Sequence, residues 1–352
     1  MRWRRAKRLS GLSGSKAKGG RGTRRIAILL ALVGLGVAAA LLATHDASRI
    51  WDALQAAGWG ALLVVALHLP QSFLSGMGFR ALIADAGPRQ RRIGLMWLMR
   101  WIRESVNTLL PVAQVGGDVV RVRLLARIGL PLEDGIAASL VDVTLEMAAQ
   151  LAFTLLGVAV LLAGSHAGAA LPIAATAVAA TGAIALAFLA AQRFGLVKLV
   201  QRLVARLTKG GGWGELGDLA GLEGAVLALY RDPRRLLVGG GWHLASWLAG
   251  IAETWAAIRV LGLDVPGTGL RAATIIESLG QAVRALGFLV PGALGVQEGS
   301  YLVICAMFGI AGPQALALSL LRRVRELALG LPGLATWQWL EWRHRRGGPP
   351  AR

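Results

Sequence analysis

LLPVAQVGGDVVRVRLL, Leu109 to Leu125, lies in a chain whose apolar residues run in long blocks. Where a bilayer-spanning helix would continue with leucines, this stretch has Pro111, Gln114, Gly116, Gly117, Asp118, Arg121 and Arg123. Proline has no N–H for the helix ladder and glycine disfavours a helix interior, so the helix breaks here. Broken backbone at membrane depth leaves N–H and C=O groups that hydrocarbon cannot satisfy, and it survives only when buried in protein or lining a polar cavity. Ionisable residues at that depth cost about 2.5–3.5 kcal/mol each on insertion scales, and they mark pathways or pairing networks. A second stretch, FLVPGALGVQEGSYLVI (Phe288 to Ile304), has the same make-up, with Pro291, Gly292, Gly295, Gln297 and Glu298.

The surroundings of both stretches read as one polytopic, all-α membrane domain. Of 352 residues, 55% are hydrophobic, and the mean hydropathy is +0.58. The net charge of +19 would suit a nucleic-acid partner in a soluble protein. Here it concentrates at the N-terminus, in short loops and at the C-terminus, so membrane topology accounts for it and no nucleic acid is expected. The single cysteine, Cys305, permits no internal disulfide. His45, His68, His166, His243 and His344 show no metal-ligand spacing, so neither metal nor cofactor is expected.

Residues 1–25 hold ten Lys/Arg and no acid, which reads as a disordered cytoplasmic arm. Full spans are expected at Ile26–Thr44, Gly60–Ile83, Gly135–Ala163, Leu171–Ala191, Leu236–Leu261 and Gln314–Leu340. The broken segments Ile93–Gly129 and Thr268–Gly312 are either re-entrant helical hairpins or pairs of tilted spans; both make an even number of crossings. Counted from a cytoplasmic N-terminus, the outer loops His45–Trp59, Gly164–Ala170 and Gly262–Gly267 carry Arg49 as their sole Lys/Arg. The inner loop Ala84–Arg92, the linker 192–235 and the tail 343–352 are basic, so both termini are expected inside a bacterial inner membrane. Within the linker, Phe194–Lys209 reads either as a basic amphipathic helix on the membrane surface or as an ordinary helix packed on the protein.

The broken segments align at a constant offset: 291 − 111 = 180, and Asp118 and Glu298, Gly129 and Gly309, Ser139 and Ser319, and Glu146 and Glu326 share it. The implied halves, 60–163 and 237–340 of a domain covering 26–342, have opposite orientation in the charge-derived topology. Inverted repeats with interrupted helices are the architecture of alternating-access transporters.

The expected substrate-binding residues are Asn107, Gln114, Asp118, Arg121, Gln297, Glu298, Arg322, Arg323 and Arg325. The breaks themselves are Pro111, Gly116, Gly117, Pro291, Gly292 and Gly295. Asp142, Glu146 and Glu326 are expected to pair charges within the membrane. Each assignment has a plainer counterpart. Asp118 and Glu298 also suit helix N-termini. The three arginines either pair with Asp142, Glu146 and Asp118 or hold a phosphate bidentately. Arg100, Arg103, Glu104, Glu277 and Arg284 pose the same choice.

RESVNTLLPVAQVGGDVVRVRLL and LVPGALGVQEGSYL, followed by SLLRRVRELALGLPG, resemble the transmembrane, flippase-like domain of lysylphosphatidylglycerol synthases. The likeness is nearest to the hopanoid biosynthesis-associated membrane proteins of that superfamily and covers roughly residues 26–340. It implies lipid translocation in a bacterial inner membrane, with membrane lipids of anionic or polar headgroup, hopanoids among them, as partners. Eleven residues follow Glu341, so the soluble aminoacyl-transfer domain of the synthases is not expected, and the chain is not expected to be an enzyme. The alternatives are a scaffold docking lipid-biosynthetic enzymes and a membrane-embedded transferase using Glu298 and an arginine.

Overall fold

A computed structural model of the chain describes residues 51–346, apart from 53–54, 56, 111–113, 164–166, 193–194, 196–220, 264, 266–268, 287–292 and 294. The basic arm, Ile26–Thr44, Pro111, Pro291, Gly292 and nearly all of Phe194–Lys209 lie outside the described residues. The described ones form α1 (Gly60–Leu82), α2 (Ile93–Leu109), α3 (Gly116–Ala126), α4 (Leu132–Leu162), α5 (Ala167–Ala191), α6 (Leu222–Tyr230), α7 (Pro233–Val260), α8 (Leu270–Leu286), α9 (Val296–Ala306) and α10 (Gly312–Arg346), and no strand is found among them.

The expected spans are matched by α1, α4, α5, α7 and α10. Two of these, α1 and α4, are long and apolar enough to cross a bilayer by hydropathy alone. Charge lies within α7 and α10 too: Glu253 in the first, and Arg322, Arg323, Arg325 and Glu326 in the second. At 1.5 Å per residue the 35 residues of α10 reach roughly 52 Å, well past a hydrocarbon core of about 30 Å. Its end carries cation–π pairs, Arg343 over Trp339 at 4.7 Å and Arg346 over Trp342 at 4.1 Å, as an interfacial anchor would.

The distribution of side chains is inside-out. Leu62, Leu155, Leu186, Leu237, Val303 and Leu331 are exposed, whereas His68, Arg121, Asp142, His243, Glu253 and Glu277 are buried. Water would penalise both halves of that pattern. Lipid rewards the first, and mutual pairing makes the second tolerable.

Helix bounds recur at the offset seen in the sequence. Adding 180 to α3 gives 296–306, the bounds of α9, and α10 begins 180 residues after α4. The turns between them are also the same. Gly129 and Gly309 take φ of +93° and +72°. In each, the residue after the glycine bonds back to a carbonyl five residues earlier, Leu130 N–H to Leu125 O and Ile310 N–H to Cys305 O, both about a normal length. This is the Schellman stop, which needs a left-handed residue that glycine adopts without steric cost. Packing repeats too: α2 lies on α10, as α8 lies on α4.

The leading helices of the two sets, α1 and α7, pack along their length. Asp85, just past the end of α1, is bound by Arg235 at the start of α7, while Gly60 at the start of α1 abuts Val260 at the end of α7. The pair therefore runs antiparallel. Equivalent helices of opposite direction are what an inverted repeat requires.

Candidate functional site

Each central helix carries its polar residues on one stripe. On α1 these are His68, Gln71, Ser72 and Ser75; on α2, Arg100, Arg103, Glu104 and Asn107; on α4, Ser139, Asp142, Glu146 and Gln150. Spacings of three and four residues put each set on one helical face. Those faces converge, and the stripes meet as three connected networks.

The first network belongs to α2, α3 and α4. Arg103 donates to Asp118 at 2.9 Å and pairs with Glu146 at 3.0 Å. Arg100 donates to the other Glu146 oxygen at 2.9 Å. Arg121, buried, donates to Asp118 at 2.7 Å, Asp142 at 2.8 Å and Ser139 at 3.1 Å, and its guanidinium lies 3.8 Å over the Phe79 ring. Asn107 Oδ1 accepts from Gly117 N–H at 2.7 Å and thereby closes the start of α3. Gly117 is required for that closeness, since a Cβ would press on the Arg103 carbonyl.

The second network belongs to α8, α9 and α10. Arg284 donates to Gln297 at 2.8 Å and also to Glu326. Arg323 pairs with Glu298 at 3.1 Å and Glu326 at 3.0 Å. Glu298 accepts from Gly295 N–H at 2.7 Å, a carboxylate closing the start of α9. Arg322 donates twice to Glu277, at 2.6 and 2.9 Å, and once to the Tyr301 hydroxyl. The contact of Asn107 with Gly117 has its counterpart in that of Arg284 with Gln297, 180 residues after Gly117.

The third joins the two sets. His68 Nδ1 lies 2.9 Å from Glu253 Oε2, and its Nε2 lies 2.6 Å from Glu104 Oε1. Arg325 donates to Glu253 at 3.2 Å and lies against the same imidazole.

A cavity of about 1340 Å³ opens beside the first and third networks. Arg100, Arg103, Arg284 and Arg325 reach its wall, as do Glu104, Asp118, Glu146 and Glu326. The rest is largely apolar: Trp97, Leu98, Trp101, Leu140, Val143, Ile184 and Phe188. Of the residues expected to bind substrate, Asn107, Gln114, Asp118 and Arg325 line this cavity, while Arg121, Gln297, Glu298, Arg322 and Arg323 sit behind it. Asp118 belongs to the first network and Glu298 to the second, and the third links them through Glu104, 3.9 Å from Arg100, and Arg325, 3.5 Å from Glu326. The three arginines of α10 also take partners other than Asp142, Glu146 and Asp118. They bind Glu277, Glu253, Glu298 and Glu326, because their helix packs on α2, α9 and α1 rather than on α4, and Arg322 reaches across to Glu277 on α8.

Sequence reasoning missed His68, His243, Glu253 and Tyr301. The available signal was the helical spacing of polar residues within otherwise apolar spans. Ser75, His243 and Asp142 form a relay, with Ser75 Oγ 3.2 Å from His243 Nδ1 and His243 Nε2 2.8 Å from Asp142. All three are buried, none lines the cavity, and Asp142 is also bound by Arg121. Among the described residues no group of His, Cys, Asp and Glu is placed to hold a metal ion.

No curated protein and no solved structure matches the chain. The family model described as the lysylphosphatidylglycerol synthase transmembrane region matches residues 26–333, most of the length. Buried charge, lipid-facing leucines and helices broken at polar sites agree with that match: the chain belongs to the family of lysylphosphatidylglycerol synthase transmembrane regions.

Proposed function

We propose that this membrane protein translocates a lipid, carrying a polar or anionic headgroup through the cavity between its two halves. The supporting observation is the make-up of the cavity wall. Arginines and carboxylates share it with tryptophans and aliphatic residues, around a volume that holds a headgroup and the first part of its chains. Arg100 is the headgroup ligand. Its Nη2 donates to Glu146 and its Nε lies 3.9 Å from Glu104, whereas Nη1 has no hydrogen-bond partner. A phosphate oxygen would take the Nη1 donor in a charge-assisted hydrogen bond. In this reading the chain makes six full crossings and two re-entrant hairpins in a bacterial inner membrane, with both termini cytoplasmic. The halves 60–163 and 237–340 rock against each other to expose the cavity alternately. It acts without bond chemistry of its own, and hopanoids are the lipid context that the family resemblance suggests.

Reconstitution tests this. The full chain in liposomes containing fluorescent phosphatidylglycerol should make the inner-leaflet label accessible to an impermeant quencher. Arg100→Gln should slow that by about tenfold or more, the equivalent of one charge-assisted hydrogen bond. Equal rates with and without protein would refute translocation of this lipid class.

A further inference from the structure

We propose that His68 is a proton-binding site and that its proton is carried together with the lipid. The inference rests on the translocation reading, and it begins from the ring's surroundings. Both imidazole nitrogens face carboxylate oxygens, Glu104 on α2 and Glu253 on α7, so two N–H donors are wanted where neutral imidazole has one. Arg325 on α10 lies against Nδ1 and donates to Glu253, so that nitrogen also faces a donor that wants a lone pair. The two demands on Nδ1 cannot be met at once, which gives the cluster two discrete arrangements.

In the first, His68 is neutral. Its Nε2–H donates to Glu104, and the Nδ1 lone pair accepts from Arg325. In the second, a proton from the cavity, whose wall His68 itself lines, has been added at Nδ1. Nδ1–H then donates to Glu253 and Nε2–H to Glu104, and the cation repels Arg325. His68, Glu104, Glu253 and Arg325 together carry one negative charge in the first arrangement and none in the second. Three more charges touch the cluster, Arg100 at 3.9 Å from Glu104, Arg322 at 3.8 Å from Glu253 and Glu326 at 3.5 Å from Arg325, and each has a nearer partner outside it: Glu146, Glu277 and Arg323.

The consequence is a coupling. Glu104 and Arg325 both line the cavity. Protonation strengthens the link between α1 and α7, the antiparallel pair that joins the halves, and turns Arg325 from the ring towards the cavity, where a headgroup phosphate can take it. Proton and anionic headgroup therefore bind in concert and cross as a neutral pair. Deprotonation on the other side returns Arg325 to Nδ1 and releases the lipid.

The test uses the full chain in liposomes with fluorescent phosphatidylglycerol, the membrane potential clamped and a pH step imposed. For one proton per lipid, each pH unit should bias the label towards the leaflet facing the alkaline side by up to about tenfold. His68→Gln, which retains a donor and an acceptor, should abolish that bias. A wild-type protein that moves lipid without regard to the gradient, or a His68→Gln protein that responds as wild type does, would overturn the proposal. If no lipid moves at all, translocation fails separately. Ring nitrogen NMR of histidine-labelled wild type in nanodiscs then decides the proton site. Interconversion of His68 between imidazole and imidazolium across pH 5–9 supports it, and a ring fixed in one state contradicts it.

Discussion

Arg121 and Arg100 stand within one network, yet their surroundings assign them different work. Arg121 is held by Asp118, Asp142, Ser139 and the Phe79 face, with no reach to the cavity. Removing it strands Asp142 beside only His243 in a buried site, and breaking such a pair costs roughly 3–5 kcal/mol. Arg121→Ala should therefore lose folded protein on mild heating in detergent, as read by size-exclusion chromatography. Arg100→Gln should elute as wild type does, because Glu146 keeps Arg103 at 3.0 Å, and its defect should appear only in lipid movement. An Arg121→Ala protein as heat-resistant as wild type would show that Asp142 is satisfied without it.

At the scale of elements, two contacts fix how the hairpin α2–α3 sits. Gly117→Ala would press a methyl into the Arg103 carbonyl and Asn107 Oδ1, and overpacking of that kind costs about 1–3 kcal/mol. The expected result is a lowered melting temperature and a loosened α3. At the other end of α3, Arg127 donates to Glu341 at 2.8 Å, and Arg123 lies 3.7 Å from it, just past the last expected span. Burial pushes the Glu341 carboxyl upward, but the Arg127 hydrogen bond and the two cations outweigh it and hold it below the usual range. A depressed carboxylate stabilises the fold above its unfolded pKa, about 4.3, and loses that contribution as pH falls through the lowered value. Glu341→Gln should then be less heat-stable than wild type at pH 7, and the gap should close on acidification below about pH 4. A gap independent of pH would mean that the ion pair contributes nothing.

Much of this level was legible in the sequence. Hydropathy located α1, α4, α5, α7 and α10, since a bilayer sets the length of an apolar run. The offset of 180 located α3 and α9 through Asp118, Glu298 and the glycine stops Gly129 and Gly309. The partners of the charges were not legible. His68 meets Glu253 from 185 residues away, and no local spacing encodes that meeting. Nor did the sequence show that Asp118 faces the cavity while Glu298 lies behind it, because the two halves are equivalent in sequence pattern and unequal in this conformation.

That inequality is the main feature of the whole molecule. The cavity draws chiefly on α1 to α5, with α7, α8 and α10 adding fewer residues. In an inverted pair, a conformation open beside one half has a counterpart open beside the other, on the opposite face of the membrane. Cysteines test the orientation directly. Gly168→Cys should react with an impermeant reagent in intact cells and Pro88→Cys should not; the reverse pattern would invert the topology. The translocation claim is tested most directly by blocking the cavity. Val143 lies on its wall, whereas Leu156 is exposed on the outer, lipid-facing side of the same helix. In liposomes with fluorescent phosphatidylglycerol, Val143→Trp should remain folded and move almost no lipid, while Leu156→Trp should match wild type. Lipid movement by folded Val143→Trp at the wild-type rate would show that the headgroup does not pass through this cavity.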